Sequence, residues 1–139
     1  MTPKLLTQRS TGGAVLMALV LPAAYGVFTG IMLGVSSGVY TVLLFLAIIG
    51  GYVAGYEQRG GAEGFGRGLA GGMLFGTFIL FGHAIAGTHA KTDLPDPQVL
   101  LAIITTAGGA LLGAFGGAMR ERHERGLNPP GYTGDADAA

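Results

Sequence analysis

Charged side chains divide the chain into long apolar stretches. Residues 10–56, 68–90 and 97–119 contain no Asp, Glu, Lys or Arg. A helix needs about 20 mostly apolar residues to cross the hydrocarbon core of a bilayer, and the first stretch is long enough for two. The pattern predicts an all-α integral membrane bundle. Its four transmembrane helices are expected at about residues 12–34, 38–56, 67–87 and 97–119, within a domain of residues 1–126 that precedes a disordered cytoplasmic tail, 127–139.

Glycine recurs at every fourth position in three of the four predicted helices. In water each glycine inside a helix costs about 1 kcal/mol relative to alanine. In lipid the same spacing lets two helix backbones approach closely, as in GxxxG dimers. The spacing therefore predicts packing through glycine ridges, and the longest series makes the third helix the most central one. The predicted helix-packing positions are Gly26, Gly30, Gly34, Gly64, Gly68, Gly72, Gly76, Gly109, Gly113 and Gly117.

These ridges have two possible partners. A bundle of four helices already contains several interfaces that need small residues, so we expect packing within one chain. The alternative is an interface with a second copy or with another membrane protein.

The chain is also similar to two copies of one helical hairpin. Gly12-Gly13 begins the first predicted helix and Gly71-Gly72 lies early in the third. Gly50-Gly51 and Gly108-Gly109 occupy matching places in the second and fourth helices. Both copies would enter the membrane from the same side, so the predicted repeats are parallel.

Basic side chains predict the orientation. Of eight Lys and Arg residues, only Lys91 lies in the loops on one side, and the others lie near the two termini and the central loop. This bias predicts a plasma-membrane protein with both termini in the cytoplasm. Lys4 and Arg9, followed by an apolar run containing Pro22, also fit a signal peptide. Because the run continues to about Leu33, longer than a typical signal-peptide core, we expect a retained helix.

Residues 48–72 carry a family resemblance. The order is Ile-Ile-Gly-Gly-Tyr-Val-Ala-Gly-Tyr over residues 48–56, a short charged loop, and Gly-Leu-Ala-Gly-Gly over residues 68–72. This segment resembles uncharacterised prokaryotic families of small, glycine-rich four-helix membrane proteins. In those families a Gly-Gly-x-x-Ala-Gly helix end precedes a basic turn and a glycine-rich third helix. The resemblance implies a fold and brings neither an activity nor a functional residue.

Composition narrows the classes of function. Eight acidic side chains balance eight basic ones, so net charge indicates no nucleic-acid partner. The expected partners are the lipid bilayer and either further copies of the chain or a larger membrane complex. The absence of cysteine excludes disulfides, thiolate metal sites and cysteine nucleophiles. The sequence has no serine triad, HExxH motif, paired intramembrane carboxylates or phosphate-binding loop, so we do not expect an enzyme.

His83 is the polar residue best placed for chemistry. Apart from tyrosines it is the only ionisable side chain well inside a predicted span, on the helix face that includes Gly76. An imidazole there could ligate haem or chlorophyll, or relay protons. The interpretation we favour is a neutral histidine that is hydrogen-bonded to a carbonyl or to Thr105 or Thr106. We expect no cofactor. We also expect no metal site, because the His and Asp side chains in the loop between the third and fourth predicted helices are not spaced as metal ligands are.

Other positions concern helix geometry. Pro22 is expected to kink the first helix and to free a carbonyl near its middle. Arg67 follows Glu63 by four residues, which predicts a helical ion pair and a guanidinium that snorkels to the membrane interface. Asp96 and Pro97 are expected to cap and open the fourth helix.

The fourth helix is predicted to continue beyond the membrane. Arg120 and Glu124 are four residues apart, as are Glu121 and Arg125, a spacing that favours ion pairs along a helix. Gly126 is expected to end the helix.

These observations favour a small non-catalytic multi-pass membrane protein, an accessory or scaffold subunit that assembles through its glycine ridges. A small oligomeric channel or transporter is the first alternative. Its polar lumen would have to come from His83, a few threonines and the Pro22 kink. A haem or pigment carrier that uses His83 is the second alternative.

Overall fold

The computed structural model describes Leu5, Gln8, Ser10 and residues 11–127, and its regular elements in this part of the chain are all helical. Four helices are long and apolar enough to cross a membrane, which confirms the predicted all-α architecture with four candidate spans. The predicted tail lies outside the described residues from position 128 onward, and Leu127 is the last residue of a helix. The elements are α1 (Thr11–Val15), a π-helical segment (Leu16–Val20), α2 (Leu21–Val35), α3 (Ser37–Tyr56), α4 (Gly61–Ala86) and α5 (Val99–Leu127).

The first candidate span, Thr11–Val35, is continuously helical, and the type of helix changes inside it. The hydroxyl of Ser10 accepts a hydrogen bond from the N–H of Gly13 and caps the start. The single extended residue Ser36 then separates α2 from α3, and its side chain accepts a hydrogen bond from the N–H of Val39. This connection is even shorter than the predicted turn.

Two helix boundaries differ from the prediction. α4 begins at Gly61 rather than near residue 67, so the helix extends six residues before the predicted span and includes Glu63. α5 begins at Val99, after Pro97, whose carbonyl accepts a hydrogen bond from the N–H of Leu100 at 2.9 Å. The prediction that Pro97 is the first helical residue was therefore wrong, because the chain makes a turn before it becomes helical.

α4 and α5 form the centre of the bundle as an antiparallel pair. α2 packs on α4, and α3 packs on α5. α4 also contacts α3 and the π-helical segment, so it touches every other candidate span, as the length of its glycine series predicts. α4 ends at Gly87, which adopts a left-handed conformation with φ of 61°.

The buried core lies between α2, α3 and the central pair. Leu33 and Ile79 are fully buried, and Tyr40, Phe75 and Leu101 join them. The loop after α4 folds over this cluster, because the N–H of Lys91 donates to the carbonyl of Leu33 at 3.0 Å.

Large apolar side chains cover the outside of the bundle. Leu111 is 70% exposed, Phe45 is 63% exposed and Ile85 is 62% exposed. An apolar exterior of this extent is typical of helices that face lipid, since monomeric soluble proteins rarely expose large contiguous apolar patches.

Candidate functional site

The predicted glycines of the central pair lie where two helix backbones approach each other. A Cβ atom added at Gly68 would collide with the carbonyl oxygen of Gly109 on α5, and the reverse also holds. Such an approach requires both positions to lack side chains. The same kind of collision would occur at Gly64, Gly72, Gly76 and Gly113 against the facing helix, and at Gly117 against Gly60.

The three predicted glycines of α2 face α4 and the loop after it. A Cβ atom at Gly26 would lie 2.6 Å from the carbonyl oxygen of Phe75. One at Gly30 would collide with the carbonyl oxygen of Ile79, and Gly34 faces the side chain of a threonine in the loop. All ten predicted positions therefore contact another segment of the same chain.

Three other close approaches were not predicted. Gly55 on α3 faces the backbone of Gly113, Gly82 on α4 faces Val27, and Gly116 on α5 faces the end of α3. Gly55 has a glycine four residues before it, so the sequence carried a signal there. Gly82 and Gly116 have no glycine four residues away, and spacing alone could not identify them.

The predicted polar group around His83 does not assemble. The hydroxyl of Thr105 donates to the carbonyls of Leu101 and Ala102, at 2.9 and 3.0 Å, and that of Thr106 donates to Ala102 at 2.5 Å. Both threonines thus bond to their own helix, and no hydrogen bond joins them to His83.

His83 itself lies beside α2. Its backbone nitrogen would be 2.8 Å from a Cβ atom added at Gly30. Its Nδ1 atom is shielded from solvent and has no hydrogen-bond partner. In the part of the chain that the structure describes, no group of three His, Asp or Glu side chains could hold a metal ion.

The most unusual polar contact joins Arg67 to the first span. Its Nη2 atom donates to the carbonyl of Met17 at 2.5 Å, and its Nη1 atom donates to the carbonyl of Ala18 at 3.3 Å. Both acceptors lie in the π-helical segment, immediately before Pro22. The prediction that Pro22 frees backbone carbonyls therefore corresponds to a specific contact, which the sequence did not reveal.

Arg67 does not have the partner or the direction that its sequence context predicts. The carboxylate of Glu63 accepts a hydrogen bond from the N–H of Arg59 at 3.2 Å, while Arg67 bonds to the first span. Its Nη1 atom lies 3.1 Å from the position of a Cβ atom on Gly71, further inside the same helix. The guanidinium thus points away from the nearer helix end, opposite to the predicted snorkelling.

A second arginine contacts a neighbouring helix at the end of the bundle where α3 stops. Arg120 is only 5% exposed, and its Nη1 atom donates to the carbonyl of Tyr56 at 3.1 Å. Its Nε atom bonds to the carboxylate of Glu124 at 2.7 Å, as the spacing predicts, and the guanidinium lies 5.9 Å from the centre of the Tyr56 ring. The other predicted pair, Glu121 with Arg125, is also present.

Searches for similar proteins do not extend this picture. No protein-family model, no curated protein and no solved structure matches the chain. The resemblance over residues 48–72 therefore rests on those residues alone.

Proposed function

We propose that this chain is a small non-catalytic multi-pass membrane protein that serves as an accessory or scaffold subunit. The observation that carries the proposal is that polar groups inside the candidate spans bond mainly to the chain's own backbone. The hydroxyl of Thr29 donates to the carbonyl of Tyr25, and the hydroxyl of Tyr25 donates to the carbonyl of Leu43. Thr105 and Thr106 behave in the same way. Groups bonded like this rigidify a bundle and do not line a polar path.

The same proposal gives the glycine ridges an internal role. They let the four helices close on one another, with α2 beside α4 and α3 beside α5. Two parallel hairpins remain part of the proposal. The apolar outer faces then meet lipid and a partner protein or further copies. The distribution of basic residues supports a plasma-membrane location with both termini in the cytoplasm.

One observation favours a second candidate, a small transporter. Helices interrupted inside the membrane, with free carbonyls near a charged group, are typical of substrate sites in transporters. π-helical turns are also frequent at functional sites. The π-helical segment and Arg67 are such a combination.

The decisive experiment is purification of the tagged protein from its native membrane in mild detergent, followed by quantification of the proteins that accompany it. The scaffold proposal predicts a stoichiometric partner or a defined homo-oligomer, absent when an unrelated four-helix membrane protein carries the tag. Recovery of folded monomer alone would contradict it. Ion or solute flux in liposomes, lost in an Arg67→Met variant that is shown to remain folded, would favour the transporter.

A further inference from the structure

We infer that Arg67 replaces the hydrogen-bond donor that Pro22 lacks, and that the π-helical segment is a two-state joint held open by this contact. The inference concerns residues 16–22 together with Arg67, which we call the joint. It stands independently of the proposed function.

The positions of the two carbonyls identify what Arg67 replaces. In an α-helix the N–H of residue 22 would bond to the carbonyl of Ala18, four residues earlier. In a π-helix it would bond to the carbonyl of Met17, five residues earlier. Leu21 uses the π pattern, since its N–H donates to the carbonyl of Leu16. Pro22 has no N–H, so it leaves one acceptor without a donor in either pattern, and Arg67 donates to both.

The surroundings make this donor hard to replace. Unpaired backbone groups are not tolerated in the hydrocarbon of a bilayer, where no water can take the place of the missing partner. A guanidinium carries N–H groups on separate nitrogen atoms in a planar fork, so it can serve two neighbouring carbonyls at once. Gly71 leaves the space through which the guanidinium passes.

The alternative state of the joint is an ordinary α-helix. A π-helical turn is equivalent to one extra residue in an α-helix, so its removal would rotate the preceding residues by about 100° and move them by about 1.5 Å. α1 has no buried residue, and its main contacts are with the π-helical segment, the next turn of the same helix. Little therefore opposes the rotation of α1 once the joint is released.

A double-mutant cycle tests whether the role of Arg67 depends on Pro22. The variants are Arg67→Met, Pro22→Ala and the double variant, compared by reversible unfolding in the same detergent. Arg67→Met should shift the folding equilibrium toward the unfolded state by roughly ten- to hundredfold when Pro22 is present. With Ala at position 22 the N–H is restored, and the same change should shift the equilibrium by less than about threefold. Equal effects in the two backgrounds would overturn the inference.

The matched control is Arg59→Met. Arg59 is exposed in the turn before α4, so this substitution removes the same charge without touching the joint. Its effect should be the same in both backgrounds. If Arg67→Met alone does not fold, the double variant becomes the test. A folded double variant supports the inference, and failure of the double variant alongside a folded Pro22→Ala contradicts it.

A conformational measurement tests the two states directly. The chain contains no cysteine, so single cysteines at positions 12–15 can carry a spin label without further changes. Pro22→Ala combined with Arg67→Met, which restores the N–H and removes the contact, should shift the pattern of label accessibility along α1 by one residue. An unchanged pattern would show that the segment does not return to α-helix, which would overturn the two-state joint.

Discussion

The two outer helical spans are each joined to a central helix by an arginine, but at different points along the helix. Arg67 of α4 donates to carbonyls in the interior of the first span. Arg120 of α5 donates to the carbonyl of Tyr56, the last residue of α3. The last carbonyls of any helix lack an internal donor, so Arg120 acts as a cap. An arginine that donates to carbonyls in the middle of a neighbouring helix instead marks a place where that helix's own hydrogen bonds are interrupted.

The two arginines also differ in the acceptors of their hydrogen bonds. Arg120 bonds to the carboxylate of Glu124 and lies near the Tyr56 ring. The hydrogen bonds of Arg67 go to backbone carbonyls. Arg67 is thus held by backbone carbonyls alone among its hydrogen-bond acceptors, whereas Arg120 is held by a carbonyl and a carboxylate.

The largest loss of stability is expected when the α4–α5 contact is disrupted, because the two outer spans pack on these helices. Gly72→Leu would place a side chain against the backbone of Thr105 and Thr106, and the helices would have to separate. We expect a loss of more than about 3 kcal/mol in the free energy of unfolding, or no folded protein. The control is Gly66→Leu in the same helix, where an added Cβ meets nothing within 4 Å. Equal stability of the two variants in detergent would contradict central packing through this face.

The next largest loss of stability distinguishes the roles of the two arginines. Arg67→Met should lower the free energy of unfolding by about 2–2.7 kcal/mol, because two carbonyls lose a charged donor inside a span. Arg120→Met should cost about 1–2 kcal/mol, since the carbonyl of Tyr56 lies at the end of α3, where helix carbonyls have no internal donor to begin with. Unfolding of both variants in one detergent gives the comparison. A larger loss for Arg120→Met would reverse our interpretation of the two contacts.

The sequence predicted the number of spans but not how their ends and breaks are arranged. Runs without charge and the four-residue glycine spacing report local composition, so the four candidate spans and the contact positions on α2, α4 and α5 could be inferred. The contact of Arg67 with Met17 joins residues far apart in the chain, and no periodic pattern encodes it. The only local signal was Pro22, which lacks an N–H. Only the folded structure shows which residue supplies the missing donor.

The same distinction applies to the polar residues. The Arg120–Glu124 pair follows from spacing along one helix and is confirmed. The predicted Glu63–Arg67 pair has the same spacing, but Arg67 has acceptors on another helix. A helical pair is a weak preference, which a tertiary contact with two backbone carbonyls outweighs.

A smaller effect tests the carboxylate that distinguishes Arg120. Glu124→Gln should cost about 1 kcal/mol, since its partner is buried although Glu124 itself is largely exposed. Glu121→Gln is the matched control, because it removes the same charge from a pair whose arginine is exposed. It should change stability by less than about 0.5 kcal/mol. Unfolding at low and high salt would check the comparison, and equal losses would mean that burial of Arg120 gives its ion pair no added strength.

The smallest effect concerns the space that Gly71 leaves for Arg67. An added Cβ at Gly71 would lie 3.1 Å from the Nη1 atom, at the far end of a flexible side chain that can move by a few tenths of an ångström. Gly71→Ala should therefore be nearly neutral, within about 0.5 kcal/mol, because the gain in helix propensity offsets the crowding. Gly66→Ala, which meets no atom, should gain up to about 1 kcal/mol from propensity alone. If Gly71→Ala stabilised the protein as much as Gly66→Ala, the guanidinium would not need the path along α4 that leads it to the first span.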